Sequence, residues 1–369
     1  MSCFRGAIQN RLRKEDFMKK QDSYDYYVGI DCAQNKHDFA MKNNQDKFLI
    51  KKGHFSNTLQ GYEKFLNTVL SKCLNKDKIL FGMEVTGIYG TNLYERLKSD
   101  GYHVVMISPD SVKNYRDYKR LNKTDKIDSA CIAELLLNGD AQIVHVEKNG
   151  YTDLKAYIRR RNALKVTCTQ ETNRFLAKVC LYFPDLLKVF PSGRATLKAI
   201  FSIYPTPYSI IEADFDELVS VLQKASKNKF GVDKANELIH AARNSIVVRK
   251  SISDGELYNI HSLIDSIDSL ESEIRNLEKI IDSKAEEFPA YHVLLTLTGC
   301  GKITAATIVA EIGDISRFHK ASQIVSLAGL YGDNSKSGSS VNKRGKISKK
   351  GSRYLRHAIY MVAEFARRN

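Results

Sequence analysis

No run of apolar residues in this chain approaches the roughly 20 that a membrane-crossing helix requires, and the N-terminus lacks the apolar centre of a secretory signal. A bilayer-spanning or exported protein is thereby set aside, and a cytoplasmic location is expected. The seven cysteines (Cys3, Cys32, Cys73, Cys131, Cys168, Cys180 and Cys300) include no CxxC pair. That removes the spacing of a zinc ribbon or dithiol redox centre and leaves reduced, mostly packed thiols as the expectation. Acids are the minority charge: 42 Asp and Glu stand against 57 Lys and Arg, for a net charge of +15. Such an excess favours a polyanionic partner, DNA or RNA, with plain basic solubility as the alternative.

What is present is enough apolar material, 43% of 369 residues, for two or three domains with cores of their own. Residues 1–23 are polar and basic without periodicity and read as a mobile leader, with Met18 a candidate start. YDYYVGID, HDFAMKN and KFLIKKGHF read as three antiparallel strands. GYEKFLNTVLSKCL then has helical spacing at Tyr62, Phe65, Leu66, Val69 and Leu70; KILFGMEV is a short buried strand; TNLYERLKSDG is a helix closed by Gly101; and YHVVMISP is a further strand. KTDKIDSACIAELLL then has the pattern of an amphipathic helix. Three strands, helix, strand, helix, strand, helix fits a mixed sheet of the ribonuclease H type better than a parallel Rossmann sheet.

Residues 24–150 are accordingly expected as an α/β domain. Residues 151–290 are expected as a helical region with inserted short helices, broken at Pro184 and Pro191. Within it Leu257, Ile260, Ile264, Ile267, Leu270, Ile274, Leu277 and Ile281 recur at intervals of three and four, either as a coiled coil or as a core helix of a compact bundle. Residues 291–369 form a small, mainly helical last domain in which charge is concentrated: from Lys336 onward ten basic residues accompany one acid, Glu364.

Four carboxylates stand out against the basic background. Asp31 ends the first strand and Glu84 lies near the end of the fourth, and in a ribonuclease H-type sheet those strands are neighbours. Asp125 and Asp128, three positions apart, share one side of a helix. Acids gathered so closely repel unless cations occupy the site. Mg2+, or Mn2+ in its place, suits hard oxygen ligands, and a pair of such ions about 3.5–4 Å apart serves phosphoryl transfer. Each acid also has a plainer reading: a strand-end turn residue (Asp31), a solvated carboxylate (Glu84), a helix N-terminal charge (Asp125) and one end of a helical salt bridge (Asp128).

GIDCAQNKHDF, MEVTGIYG and KTDKIDSACIAELL resemble the successive blocks of the DEDD-type insertion-sequence transposases, the Piv or insertion sequence one-hundred-and-ten family of bridge-RNA-guided recombinases. TLTGCGKITAATIVAEIGDISRF, SLAGL and KSGSSVNKRGKISKKGSRYLRHAIYM are similar to the same family's C-terminal transposase domain. The resemblance implies a RuvC-like ribonuclease H-fold domain whose metal-binding acids are Asp31, Glu84, Asp125 and Asp128, and a nucleophilic serine at the position of Ser337. It also implies DNA and a structured guide RNA as partners, and a dimer or tetramer with a composite active site. A nucleoid-associated location in a bacterium or archaeon follows, as does a helical segment beyond the position of Asn369, relative to which this copy is expected to be truncated.

From its residues alone, SGSSV reads first as a flexible Gly/Ser loop, with Ser335, Ser339 and Ser340 close by, and only the resemblance singles out Ser337. TGCGKITA resembles the turn of a helix-hairpin-helix element, in which Gly299, Gly301, Lys302 and Thr304 would present backbone N–H groups and charge to a phosphate; a simple helix start at Thr304 is the alternative. Lys343, Arg344, Lys346, Lys349, Lys350, Arg353 and Arg356 are expected to add sequence-independent backbone contacts. Two rival functions stay open: a metal-dependent Holliday-junction nuclease that uses no serine, and a non-catalytic nucleic-acid-binding remnant of a transposon.

Overall fold

The computed structural model describes residues 23–73, 75–84, 89–121, 125–144, 149–332, 336–337, 341–342 and 347–368; residues 125, 126, 149, 336, 337, 341 and 342 are described by their backbone alone. The chain is a mixed α/β protein, mostly helical. The expected leader, residues 1–23, lies outside the described residues except for Ser23. Cα proximity divides the chain into two compact units, Met1–Lys148 with Asp314–Arg353, and Asn149–Gly313 with Tyr354–Asn369.

The first unit opens with β1 (Tyr26–Cys32), β2 (Lys36–Asn43) and β3 (Phe48–Ser56), followed by α1 (Leu59–Leu70). The Thr58 hydroxyl caps α1 by accepting from the Gly61 amide at 3.1 Å, which satisfies one of the orphan donors of the first turn. Next come β4 (Ile79–Glu84), α2 (Thr91–Ser99), β5 (His103–Ile107), α3 (Pro109–Tyr118), α4 (Asp125–Leu137) and the short β6 (Ile143–Val144). Gly101, at φ +82°, follows α2 where the sequence placed its closing glycine. Two elements go beyond the expected succession: α3, which begins with a proline that lacks only an orphan N–H there, and β6.

The sheet has the order β3-β2-β1-β4-β5-β6. β1 runs parallel to β4, and β4 to β5, whereas β2, β3 and β6 run antiparallel to their neighbours. This mixed arrangement agrees with the ribonuclease H-type sheet expected from the sequence, and it sets β1 beside β4.

Side chains alternate across the pleat. Val28, Ile30, Phe39, Met41, Phe81 and Met83 pack with Phe65, Val69, Leu93 and Leu97 of α1 and α2 on one face. Tyr27, Leu80 and Ile107 pack with Ile132, Leu135 and Leu136 of α4 on the other. A Cβ added to Gly29 would lie 2.2 Å from the Ser129 carbonyl oxygen and 2.4 Å from the Ala133 amide nitrogen, so α4 crosses β1 at backbone contact. Glu134 of α4 is tied down on three sides: Tyr115 donates to it at 2.9 Å, and Lys119 and Lys42 pair with it at 3.1 and 3.3 Å.

The second unit is helical: α5 (Asn149–Tyr182), α6 (Leu186–Val189), α7 (Arg194–Ile203), α8 (Pro207–Ile211), α9 (Phe215–Ser226), α10 (Val232–Arg243), α11 (Asp254–Ala285), α12 (Pro289–Leu295) and α13 (Lys302–Ile312). Ion pairs Arg160–Glu273, Arg161–Glu278 and Lys178–Glu256 show α11 running antiparallel to α5. Ile260, Ile267, Ile274 and Ile281, seven residues apart, are the buried isoleucines of α11. The first three share a core with Phe175, Val179, Phe183 and Phe201. Residues Ala305 to Glu311 of α13 are all buried, since the helix packs against both long ones. Later in the chain come α14 (Ala321–Leu327), the two-residue strands β7 (Lys336–Ser337) and β8 (Val341–Asn342), paired antiparallel, and α15 (Arg353–Arg368). Among the described residues no helix is long and apolar enough to cross a membrane.

Candidate carboxylate site and basic segment

The sheet brings two of the four expected acids onto one surface. Ile30 stands opposite Met83 across the parallel β1–β4 ladder, so Asp31 and Glu84 follow as the next residues on neighbouring strands. Neighbouring strands lie about 4.8 Å apart. Both acids fall on the α4 side by the pleat, since Gly29 meets α4 and a Cβ at Gly82 would lie 2.6 Å from Leu136. Cys32 registers the two charges: burial first, then Asp31 and Glu84, push its thiol up to about 12.

α4 supplies the other two acids. Its first residue is Asp125, whose side chain lies outside those described, and Asp128 is one turn further on the same side. Asp128 is 4% exposed. Its carboxylate accepts from Arg116 Nη1 of α3 at 2.5 Å, and this hydrogen bond raises the Arg116 pKa. Asp128 is thus one end of a salt bridge, but one between two helices rather than within one. The helix that carries Arg116 is signalled in the sequence only by Pro109 directly after Ser108, the residues that open it.

A second residue absent from the expected set is Asp38. It stands directly opposite Asp31 on β2 and is 3% exposed. Lys36 approaches Asp38 Oδ2 at 3.2 Å. Among the described residues no three His, Cys, Asp or Glu side chains gather closely enough to hold a metal ion. Asp38 and Asp128 each face a protein cation instead. Carboxylate oxygens are the donors a hard divalent ion takes, and among the described residues the buried Asp38 Oδ1 has no hydrogen-bond partner.

The basic segment is described in part. Ser337 lies on β7, its side chain outside those described, and Lys343, Arg344 and Lys346 also lie outside the described residues. Lys349 and Lys350 are exposed, Arg353 opens α15, and Arg356 is half-buried on that helix. Gly299 adopts φ +81°, and a Cβ there would come 2.3 Å from that of Phe365, so both the turn and the packing require glycine. Gly301 is the N-cap of α13 and has open space where a Cβ would stand. Lys302, the first residue of α13, pairs with Asp282 at 2.5 Å, and Thr304 is half-buried in the first turn. The helix therefore starts at Lys302, two residues before Thr304.

Comparison with known proteins addresses the two motif-bearing segments separately. Residues 28–184 match a family described as transposase, of the DEDD IS110 type, and residues 291–369 match one described as transposase of the IS116/IS110/IS902 family. A mini-circle protein of Streptomyces coelicolor described as a transposase for IS117 is 22% identical over 329 residues, 84% of this chain and 77% of that protein. The 43.6 kDa protein of insertion element IS110 from the same species is 23% identical over 65% of this chain and 60% of its own length. A pilin gene-inverting protein of Moraxella bovis is 34% identical over 119 residues, 32% of this chain and 35% of that protein.

Proposed function

We propose that this chain, which belongs to the IS116/IS110/IS902 family of transposases, recombines DNA at the ends of its mobile element through a carboxylate site and a serine nucleophile. The carboxylates are Asp31, Glu84, Asp125 and Asp128, and the nucleophile is Ser337. The observation that carries the reading is the adjacency of Asp31 and Glu84 at the ends of β1 and β4, on the face that α4 covers. The N-terminal part of the proposal is a RuvC-like domain over residues 24–150. A helical coiled-coil region over 151–290 and a serine-bearing domain over 291–369 complete it.

These carboxylates would hold Mg2+ or Mn2+, which supplies Lewis-acid polarisation of the scissile phosphate when bound. The chain's own residues do the rest. Asp31 and Glu84, fixed by the strand ladder, offer oxygens without a search through rotamer-rich linkers. Asp128 must exchange Arg116 for the site, so that arginine positions the carboxylate and limits its charge meanwhile. The Ser337 hydroxyl attacks phosphorus and displaces a sugar hydroxyl, losing its proton in the process. A sugar hydroxyl of the second strand then displaces the serine. One phosphoester bond forms for each that breaks, so strands are exchanged without ATP.

Lys343, Arg344, Lys346, Lys349, Lys350, Arg353 and Arg356 bind the DNA backbone in this proposal, and the turn at Gly299, Gly301, Lys302 and Thr304 adds phosphate contacts. A structured guide RNA selects the target, a dimer or tetramer assembles the composite site, and the protein works in the cytoplasm at the nucleoid.

A denaturing gel tests the chemistry. Protein is incubated with labelled element-end DNA, target DNA, Mg2+ and RNA transcribed from the element's flanks. Wild type is expected to yield a protein-linked DNA band and Ser337→Ala none. Cleavage without a linked band, unchanged in the variant, would show hydrolysis at the carboxylates and remove the serine from the mechanism.

A further inference from the structure

In the helical unit a polar cleft of about 420 Å3 opens between α5, α11 and the start of α7. Buried Cys168, Thr172 and Ile274 line its floor, where the Thr172 hydroxyl donates to the Cys168 carbonyl oxygen at 2.7 Å. Three exposed cations stand on its walls: Lys165 of α5, Arg194, the first residue of α7, and Arg275 of α11. Among the described residues none of the three forms an ion pair. Elsewhere along the same two long helices charges are matched: Arg160, Arg161 and Lys178 of α5 each meet a glutamate of α11. The cleft does hold two acids, Glu271 and Glu278, but both already have cations. Lys198 stands 3.6 Å from Glu271, and Arg161 Nε and Nη2 reach Glu278 Oε1 at 2.9 and 2.5 Å. Lys198 is shared with Asp268. Around the cleft five cations therefore meet three acids, and the surplus sits on the side chains that have no protein partner.

Like charges gathered on a concave surface repel one another, and the concavity focuses their field on an incoming anion. Arginine adds a planar fork that matches two phosphate oxygens. Lys165 and Asn173, whose amide donates without charge, both line the cleft and lie about 12 Å apart along α5. A nucleic-acid strand carries a phosphate about every 3.4 Å along its axis, so this length takes about three of them. We propose that the cleft seats the phosphodiester backbone of a nucleic-acid strand, held by Lys165, Arg194 and Arg275. The contact falls within residues 151–290, ahead of the Gly299–Arg356 stretch, and rests on the function proposed above only in taking DNA or RNA as the partner.

The test titrates the full chain by fluorescence anisotropy with labelled duplex DNA and, separately, labelled single-stranded RNA, at several salt concentrations between about 50 and 200 mM. In the triple variant Lys165→Gln, Arg194→Gln, Arg275→Gln, the slope of log K against log salt is expected to become shallower by at least about one. A change with RNA alone assigns the cleft to RNA, with DNA alone to DNA, and with both to the backbone they share; each supports the proposal. The control Lys224→Gln, Arg243→Gln, Lys279→Gln takes the same charge from exposed residues of the same unit that do not line the cleft. Its slope is expected to stay near wild type. An unchanged slope in the cleft variant with both probes, or an equal change in the control, overturns the proposal. Wild type that binds neither probe removes the nucleic-acid reading itself, and this inference with it. The thermal midpoint of the cleft variant should hold, since no ion pair is lost. Should that variant fail to fold, Arg194→Gln and Arg275→Gln singly decide: each is expected to make the slope shallower, and wild-type slopes in both overturn the proposal.

Discussion

Replacing Asp31 with Asn is expected to reduce strand exchange at least about a hundredfold, the usual loss when one preorganised electrostatic group is taken from a reaction centre. The substitution leaves volume and strand register alone; it removes a negative charge from a ligand set that works by charge. Nucleic-acid binding should stay close to wild type, because the basic residues proposed for it lie in the chain from Gly299 onward, apart in sequence from Asp31. Asp125→Ala should behave in the same way. Recombination yield from element-end DNA, read beside a filter-binding affinity at fixed salt, separates the two effects. Normal recombination by both variants would rule out the carboxylate assignment; equal loss of binding and recombination would make these acids structural.

Gly29→Val is expected to destabilise the chain by at least about 3 kcal/mol, the upper end of overpacking costs. The added carbon would meet the Ser129 carbonyl oxygen at 2.2 Å and the Ala133 amide nitrogen at 2.4 Å. Both are backbone atoms of α4, so no side-chain rotation relieves the clash, and the whole helix has to lift from β1. The midpoint of thermal unfolding of the sheet-bearing unit should drop by about 6–12 °C. Mn2+ binding should go with it, since α4 carries Asp125 and Asp128. Gly301→Ala is the matched control: its backbone is ordinary (φ −75°) and the added carbon has no neighbour within 4 Å, so the midpoint should stay put. A wild-type midpoint for Gly29→Val would mean that α4 does not sit on β1 as described.

Several features were legible in the residues themselves. The β-rich run YDYYVGID and the short apolar run KILFGMEV announced strands with an acid at or near the end, and the stretch after Lys123 announced a helix with Asp125 and Asp128 on one side. The family blocks did the same for the class of reaction. Backbone sterics and the burial of one face act within a few residues, so spacing alone reveals them. Pairing does not act that way. That β1 lies beside β4 was expected only through the succession of elements typical of a ribonuclease H-type sheet; that Asp38 stands opposite Asp31 and that Arg116 of one helix reaches Asp128 of another depend on contacts between segments far apart in the chain. A shift of one residue in either strand ladder would send Asp38 or Glu84 to the other face with its local pattern unchanged. Gly29 is the plainest case: in the sequence it is a small residue inside a strand, and only the approach of α4 makes it irreplaceable. The residue types and their order were determined by the sequence alone. Which charges meet was decided by the packing of the sheet against α4, because register minimises the exposed apolar surface of the whole unit rather than of any one segment.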